Sequence, residues 1–274
     1  MVVRILLEAS AWPRVRKSAR GRRRAFTGGN RGVRHMCESC VSTSIGRRGL
    51  LRGGAVMAGA ALLGGAFAGG QARAQPARAA DTPDAALAML LEGNARYVAD
   101  KPRERDLTAR RAATSQGQKP FAAILGCADS RVAPELAFDQ KPGDLFVVRV
   151  AGNFLTDDGL GSLEFGAAVL GTRLIMVLGH TGCGAVTATV DAIQAGNQLP
   201  GHIAGLATAM KPGIEPVVKA GGADLIARAT VANVAYNVAR LQKASPILAD
   251  LIAKQQLRVV GGVYDLATGK VSLA

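Results

Sequence analysis

Two short segments hold the residue types from which a reactive centre can be built. Cys127-Ala128-Asp129-Ser130-Arg131 supplies a thiol, a carboxylate and a guanidinium at alternate positions, and His180-Thr181-Gly182-Cys183 supplies an imidazole and a second thiol. Two thiolates and an imidazole are a donor set that zinc takes, the thiolates neutralising the charge of the ion and the imidazole adding a third bond. The H-x-x-C spacing lets both side chains of one turn reach the same ion, and Gly182 and Gly184 allow the backbone its tight path. Asp129 and Arg131, two apart, point to one side of an extended turn, where a guanidinium can grip a carboxylate with two parallel bonds. Spacing alone leaves the thiols open to three readings: a zinc site, a disulfide, or ordinary buried thiols. It equally allows Asp129 and Arg131 to be a surface ion pair.

For the two segments to meet, the elements before them must end at one place. Short, continuous apolar runs at Phe121 to Leu125, Leu145 to Val150, Arg173 to Leu178 and Leu257 to Val263 read as strands buried on both faces. Between and around them lie helical patterns: Asp84 to Ala99, with Thr82 or Asp84 available as N-cap, then Gly161 to Leu170 and Ala185 to Ala195. Asp100 to Lys119 is polar and basic with a weak helical pattern, and Tyr264 to Val271 reads as a hairpin with Thr268-Gly269 at its turn. The alternation predicts an α/β fold. Four parallel strands plus an antiparallel edge strand form a sheet flanked by helices, with an N-terminal helical arm. In such sheets sites form at the carboxyl ends of the strands, and the first and third runs lead directly into Cys127 and His180.

The charge of the chain is segregated. Its formal net charge is +14, yet residues up to Ala74 hold 14 Lys and Arg against two acids, while the rest hold 20 against 18. The bulk of the chain is nearly neutral, and aromatics are only 4% of residues, which excludes a surface of stacked aromatics for reading RNA and leaves no nucleic-acid partner expected. Ahead of Gln75 the order is that of an export signal: Arg47-Arg48-Gly49-Leu50-Leu51-Arg52, an apolar run from Gly53 to Gly70, and Ala72-Arg73-Ala74 as an A-x-A cleavage site. The arginine pair resembles a twin-arginine signal, and the run is too rich in Gly and Ala for a stable membrane span, so none is expected after cleavage. The expected organisation is therefore a misannotated extension over 1–35 with translation from Met36, a signal peptide over 36–74, a helical arm over 75–120 and a zinc-binding α/β catalytic domain over 121–274. Cys37 and Cys40 form a CxxC pair that falls before the cleavage point and has no expected role.

At its chemical segments the chain resembles the β-class carbonic anhydrases. The family's C-x-D-x-R segment is matched by Cys127 to Arg131 and its H-x-x-C segment by His180 to Cys183, continuing as Gly184-Ala185-Val186. Pro142-Gly143-Asp144, Arg149-Val150-Ala151-Gly152-Asn153, Gly161 to Phe165 and Leu91 to Arg96 also match, so the likeness runs from about Leu90 to Lys270. The resemblance implies one zinc ion per subunit, held by Cys127, His180 and Cys183, with a fourth position for water. It implies reversible hydration of carbon dioxide to bicarbonate and a proton by zinc-hydroxide attack. Two thiolates should leave the pKa of that water higher than three imidazoles would. Asp129 and Arg131 are then the catalytic pair, Asp129 orienting the hydroxide and Arg131 holding Asp129, although in some members this carboxylate binds the metal and closes the site.

The resemblance implies less about other residues. Gln140 stands near a glutamine that contacts substrate in some members, Gly184 offers a backbone N–H near the metal, and His202 is a loop imidazole of a kind that can shuttle protons. Tyr97 is expected in core or dimer packing. The family's N-terminal helices embrace a second subunit, so a homodimer or homotetramer is implied. Two other functions stay open: a hydrolase for carbon disulfide or carbonyl sulfide on the same scaffold, and a non-catalytic zinc-binding protein with a closed site.

Overall fold

A computed structural model describes residues 80–244 and 246–274. The expected extension, signal peptide, arginine pair and Cys37/Cys40 lie outside the described residues. Helix α1 (Pro83–Val98) begins at Thr82, whose hydroxyl accepts from the Ala85 N–H, with Pro83 at the first helical position where its missing N–H costs nothing. A short α2 (Leu107–Thr114), capped by Asp106, occupies the stretch whose helical pattern is weak in the sequence. Then follow β1 (Ala122–Gly126), α3 (Pro134–Ala137), β2 (Leu145–Arg149), α4 (Asp157–Glu164) and β3 (Leu174–His180). The remaining elements are α5 (Gly184–Ala195), α6 (Ile203–Ala220), α7 (Leu225–Lys243), α8 (Pro246–Ala253), β4 (Arg258–Tyr264) and β5 (Val271–Leu273).

The strand order is β2-β1-β3-β4-β5. Strands β1 to β4 are parallel and β5 is antiparallel at the edge, as the alternation of elements predicts. Every residue of β1 and β3 is buried, which is why these strands read as unbroken apolar runs. Alternate residues serve opposite faces. Ala122, Ile124, Leu174, Met176 and Leu178 pack with Leu87 and Leu90 of α1 and with Phe138 on one side. Ala123, Leu125, Ile175 and Val177 pack with Val234 and Leu241 of α7 and Leu248 of α8 on the other.

The expected Gly161 to Leu170 helix begins earlier, at an N-cap on Thr156, and its second half winds as a π-helical segment over Phe165–Val169. The largest feature not expected from the sequence is the run of three helices after Gly196, two of them 18 and 19 residues long. Pro212 and Pro216 sit inside α6 and mask its periodicity, because proline removes a helical hydrogen bond and ordinarily marks an end. Helix α7 packs closely on the sheet: a Cβ placed on Gly179 of β3 or Gly261 of β4 would lie 2.7 Å from Val234, so only glycine lets this helix seat. No helix among the described residues is long and apolar enough to cross a membrane.

Candidate metal centre

The register of the sheet brings the two chemical segments together. Gly126, the last residue of β1, pairs with Leu178 of β3, so Cys127 and His180 emerge one and two residues beyond the same level. Cys183 then arrives as the N-cap residue of α5 after a turn in which Gly182 takes a φ of +64°. One ligand atom each from Cys127, His180 and Cys183 lies within 4.8 Å of the others, and all three residues are buried. The two sulfurs are 4.0 Å apart and both cysteines are free, which removes the disulfide reading, since a bonded pair stands at about 2.05 Å. Tetrahedral zinc with bonds of about 2.3 Å to sulfur separates two thiolates by about 3.8 Å, so the observed spacing fits the ion.

The imidazole is prepared in the same sense. His180 Nδ1 lies 3.0 Å from the Thr181 carbonyl, which it can only approach as a donor. That tautomer leaves Nε2 as a bare acceptor, and Nε2 is buried without a hydrogen-bond partner. A buried lone pair without a donor is costly, and a metal ion is what satisfies it. Thr181 is itself fixed by the hairpin after β4: its N–H donates to the Tyr264 carbonyl and its hydroxyl accepts from the Leu266 N–H at 3.0 Å.

The thiols differ in environment. The hydrogen bond from Cys183 pulls the Cys127 thiol down to about 4 against the opposing effect of burial, with further help from the Gly152 N–H. Cys183 is pushed up by that same hydrogen bond and by burial, and is opposed by the Val186 and Ala185 N–H groups at the start of α5. The two thiols are thus pushed in opposite directions, and a cation that binds both sulfurs takes the place of their protons.

Asp129 lies beside the cluster, its Oδ2 3.8 Å from His180 Nε2. Arg131 grips it with two parallel bonds, Nε to Oδ1 at 2.9 Å and Nη2 to Oδ2 at 2.7 Å, and its backbone N–H adds a third to Oδ1 at 3.0 Å. This guanidinium holds the Asp129 carboxyl well below the usual carboxylate range. The pair is therefore not an isolated surface ion pair, for its carboxylate faces the ligand cluster.

Arg149, at the end of β2, has no role legible in the sequence. Its guanidinium donates to the Cys127 carbonyl at 2.8 Å and the Asp129 carbonyl at 2.7 Å, fixing the backbone of the whole C-x-D-x-R segment. The signal that could have found it is register, since Arg149 pairs with Gly126 just before the first ligand. Gly152, in the turn after β2, donates its N–H to Cys127 Sγ at 3.3 Å.

The structure places the other residues singled out as follows. Gln140 is buried beneath α1, its amide donating to the Phe138 carbonyl at 2.7 Å and its oxygen facing the Arg103 guanidinium at 3.4 Å. The left-handed backbone of Asp139 turns Gln140 inward, against the face of Gly93. Gly184 is exposed as the first residue of α5, and His202 is exposed at the N-terminus of α6. Tyr97 packs within its own chain, its ring against Gly269 and its hydroxyl 3.2 Å from that of Tyr264.

Comparison with known proteins adds the following. The family model described as carbonic anhydrase matches residues 122–271, more than half of the chain. A carbonic anhydrase of Mycolicibacterium smegmatis is 41% identical over 192 residues, covering 70% of this chain and 93% of that protein. Carbonic anhydrase 2 of Mycobacterium tuberculosis is 42% identical over 195 residues, covering 70% and 92%. Among solved structures, the Coccomyxa β-carbonic anhydrase in complex with acetazolamide superposes with a TM-score of 0.54 at 29% identity, covering 68% of this chain and 85% of that one.

Proposed function

We infer, from the premise that the chain belongs to the β-carbonic anhydrase family, that it interconverts carbon dioxide and bicarbonate with zinc held by Cys127, His180 and Cys183. The observation that carries this reading is the buried, unpartnered Nε2 of His180 between two thiols, with an arginine-held carboxylate beside it. Zinc bound there would lower the pKa of a water toward neutrality and so make hydroxide available for attack on carbon dioxide. Asp129, ionised throughout the neutral range, would accept a hydrogen bond from that hydroxyl and so orient it toward the substrate. Arg131 binds both carboxylate oxygens and so fixes Asp129, as an acceptor, beside the ligand cluster. Arg149 holds the Cys127 and Asp129 carbonyls to one guanidinium, so the first ligand and the orienting carboxylate keep a fixed relation.

The test is stopped-flow hydration of carbon dioxide by the zinc-loaded chain from pH 6.5 to 9. Turnover that rises through an alkaline pKa and is lost in Asp129→Ala supports the reading. A chain with zinc bound and no turnover at any pH rejects it.

We further propose a homodimer or homotetramer, a reading supported by the apolar side chains of Leu136, Phe165 and Val169, each about half exposed or more on the single chain. Export by a twin-arginine route, with cleavage near Ala74, is proposed on the paired Arg47-Arg48, the apolar run and the A-x-A motif. That route carries folded proteins, which suits a centre whose thiolates are protected by a bound ion. Sedimentation of the purified protein and the N-terminal sequence of the exported form test these two readings.

A further inference from the structure

A line of buried amides leads from α7 through Gly152 to Cys127. Asn233 and Asn237, one helical turn apart on α7, are both fully buried. The Leu155 N–H donates to Asn237 Oδ1 at 2.8 Å, and Asn237 Nδ2 donates to the Asn233 carbonyl at 2.8 Å and to Asn233 Oδ1 at 3.2 Å. With its oxygen so engaged, Asn233 presents its Nδ2 to the Gly152 carbonyl at 2.8 Å. Gly152 in turn gives its N–H to Cys127 Sγ at 3.3 Å.

Gly152 is confined on its remaining sides as well. The Asn153 N–H donates to the Val150 carbonyl, closing a turn in which Gly152 takes a φ of +87°, the left-handed value a type II turn requires at its third position. A Cβ at Gly152 would lie 2.3 Å from Met210 Sδ of α6 and 3.3 Å from Ala185 Cβ of α5. The residue that donates to the first sulfur is thus shaped by α5 and α6 and tied by its carbonyl to α7.

We propose that Asn233 is a positioning residue of the metal centre: by holding the Gly152 carbonyl it fixes the turn whose N–H donates to Cys127 Sγ, and so sets how strongly that thiolate donates to the metal. An N–H···S bond withdraws electron density from the sulfur, and loss of such outer partners typically costs about 10–100-fold in metal affinity or activity. Asn233→Ala removes the tie, and Asn233→Asp replaces the donor by an acceptor facing the Gly152 oxygen.

The proposal rests on the zinc reading above, and the experiment separates the two. The full chain is loaded with cobalt(II), and its thiolate-to-metal charge-transfer absorption is recorded, with zinc affinity measured by chelator competition. A wild-type chain that takes up neither ion defeats the zinc reading and this inference with it. Where the wild type binds, Asn233→Ala and Asn233→Asp are expected to move the band to longer wavelength, because a sulfur relieved of its hydrogen bond donates more readily. Zinc affinity is expected to fall about 10-fold, because the loosened turn no longer holds Cys127 in place for the ion. Thr230→Val, a buried change one turn away that loses a bond only to the Ile226 carbonyl, is expected to leave the band in place. Folded Asn233 variants whose band and affinity match those of Thr230→Val overturn the inference while leaving the zinc site intact. A second measurement needs no Asn233 variant to fold. In the wild-type chain loaded with cadmium-113, the Gly152 N–H is expected to correlate with the metal through Cys127 Sγ, and Asn237→Ser to weaken that correlation. Its absence in the wild type, or its persistence unchanged in Asn237→Ser, overturns the inference.

Discussion

Asp129 and Asp139 are both held by arginines, and they differ in what the arrangement is for. Asp129 is gripped by one arginine two residues away, retains 16% side-chain exposure and faces the ligand cluster. The Asp139 side chain is fully buried and meets three arginines from the N-terminal part of the chain: Arg96 at 2.6 Å, Arg105 at 3.1 Å and Arg103 at 3.4 Å. Burial alone would raise the pKa of Asp139, but Arg96, Arg105 and the Arg103 N–H outweigh it and leave it lowered. Both groups are therefore anionic at neutral pH. The first can meet a small molecule, whereas the second ties the segment after α1 to the end of α3. A depressed carboxylate pKa does not by itself mark a reactive group; what it faces decides.

The comparison predicts that the two sites break in different ways. Asp139→Asn is expected to cost about 3 kcal/mol in urea unfolding, since it leaves guanidinium groups around a buried position without their counter-ion. Turnover per folded molecule should stay within about 2-fold, the span a surface-distant stability change produces. Asp129→Asn is expected to do the reverse, lowering kcat for carbon dioxide hydration about 100-fold with little change in the unfolding midpoint. A loss of turnover in Asp139→Asn as large as that in Asp129→Asn would erase the distinction.

Smaller effects sharpen it. Arg131→Lys keeps the charge but gives up the parallel pair of bonds, and about a 10-fold loss of kcat is expected at unchanged zinc content, measured by metal analysis beside stopped-flow rates. The pH dependence is subtler. Each carboxylate has a folded-state pKa below its unfolded value of about 3.9, so its stabilisation is whole above that pH and is lost as pH falls through the folded pKa. The stability gap between wild type and Asp139→Asn should thus be flat above about pH 5 and shrink only below about pH 4. Neither group titrates between pH 6.5 and 9, so an activity change in that window does not come from Asp129.

The contrast also explains what could be read in advance. Asp129 and Arg131 are two residues apart, and Cys127, His180 and Cys183 sit directly after strands whose apolar runs are unbroken, so local pattern and one rule about parallel sheets bring them together. The cluster around Asp139 joins residues 34 to 43 apart in the chain, with no repeating interval to betray it. Gln140 shows the same limit from the other side. Its position beside a matched segment points to substrate, but the backbone turn at Asp139 sends it into the core.

The sequence by itself determined the donor set, the orienting pair and a parallel sheet with an antiparallel edge, because these depend on residue type, on spacing within a few positions and on burial of both sheet faces. Tertiary structure decided the rest: that the sulfurs stand 4.0 Å apart as free thiols, that His180 keeps Nε2 bare, and that Arg149 and Gly152 brace Cys127. It also decided that α6 and α7 exist as long helices and that Asn233 reaches Gly152 across 81 positions. Hydrogen bonds between distant segments carry no periodic signature, and the prolines within α6 conceal the one it has, so only the packed chain shows which side chains share a neighbour.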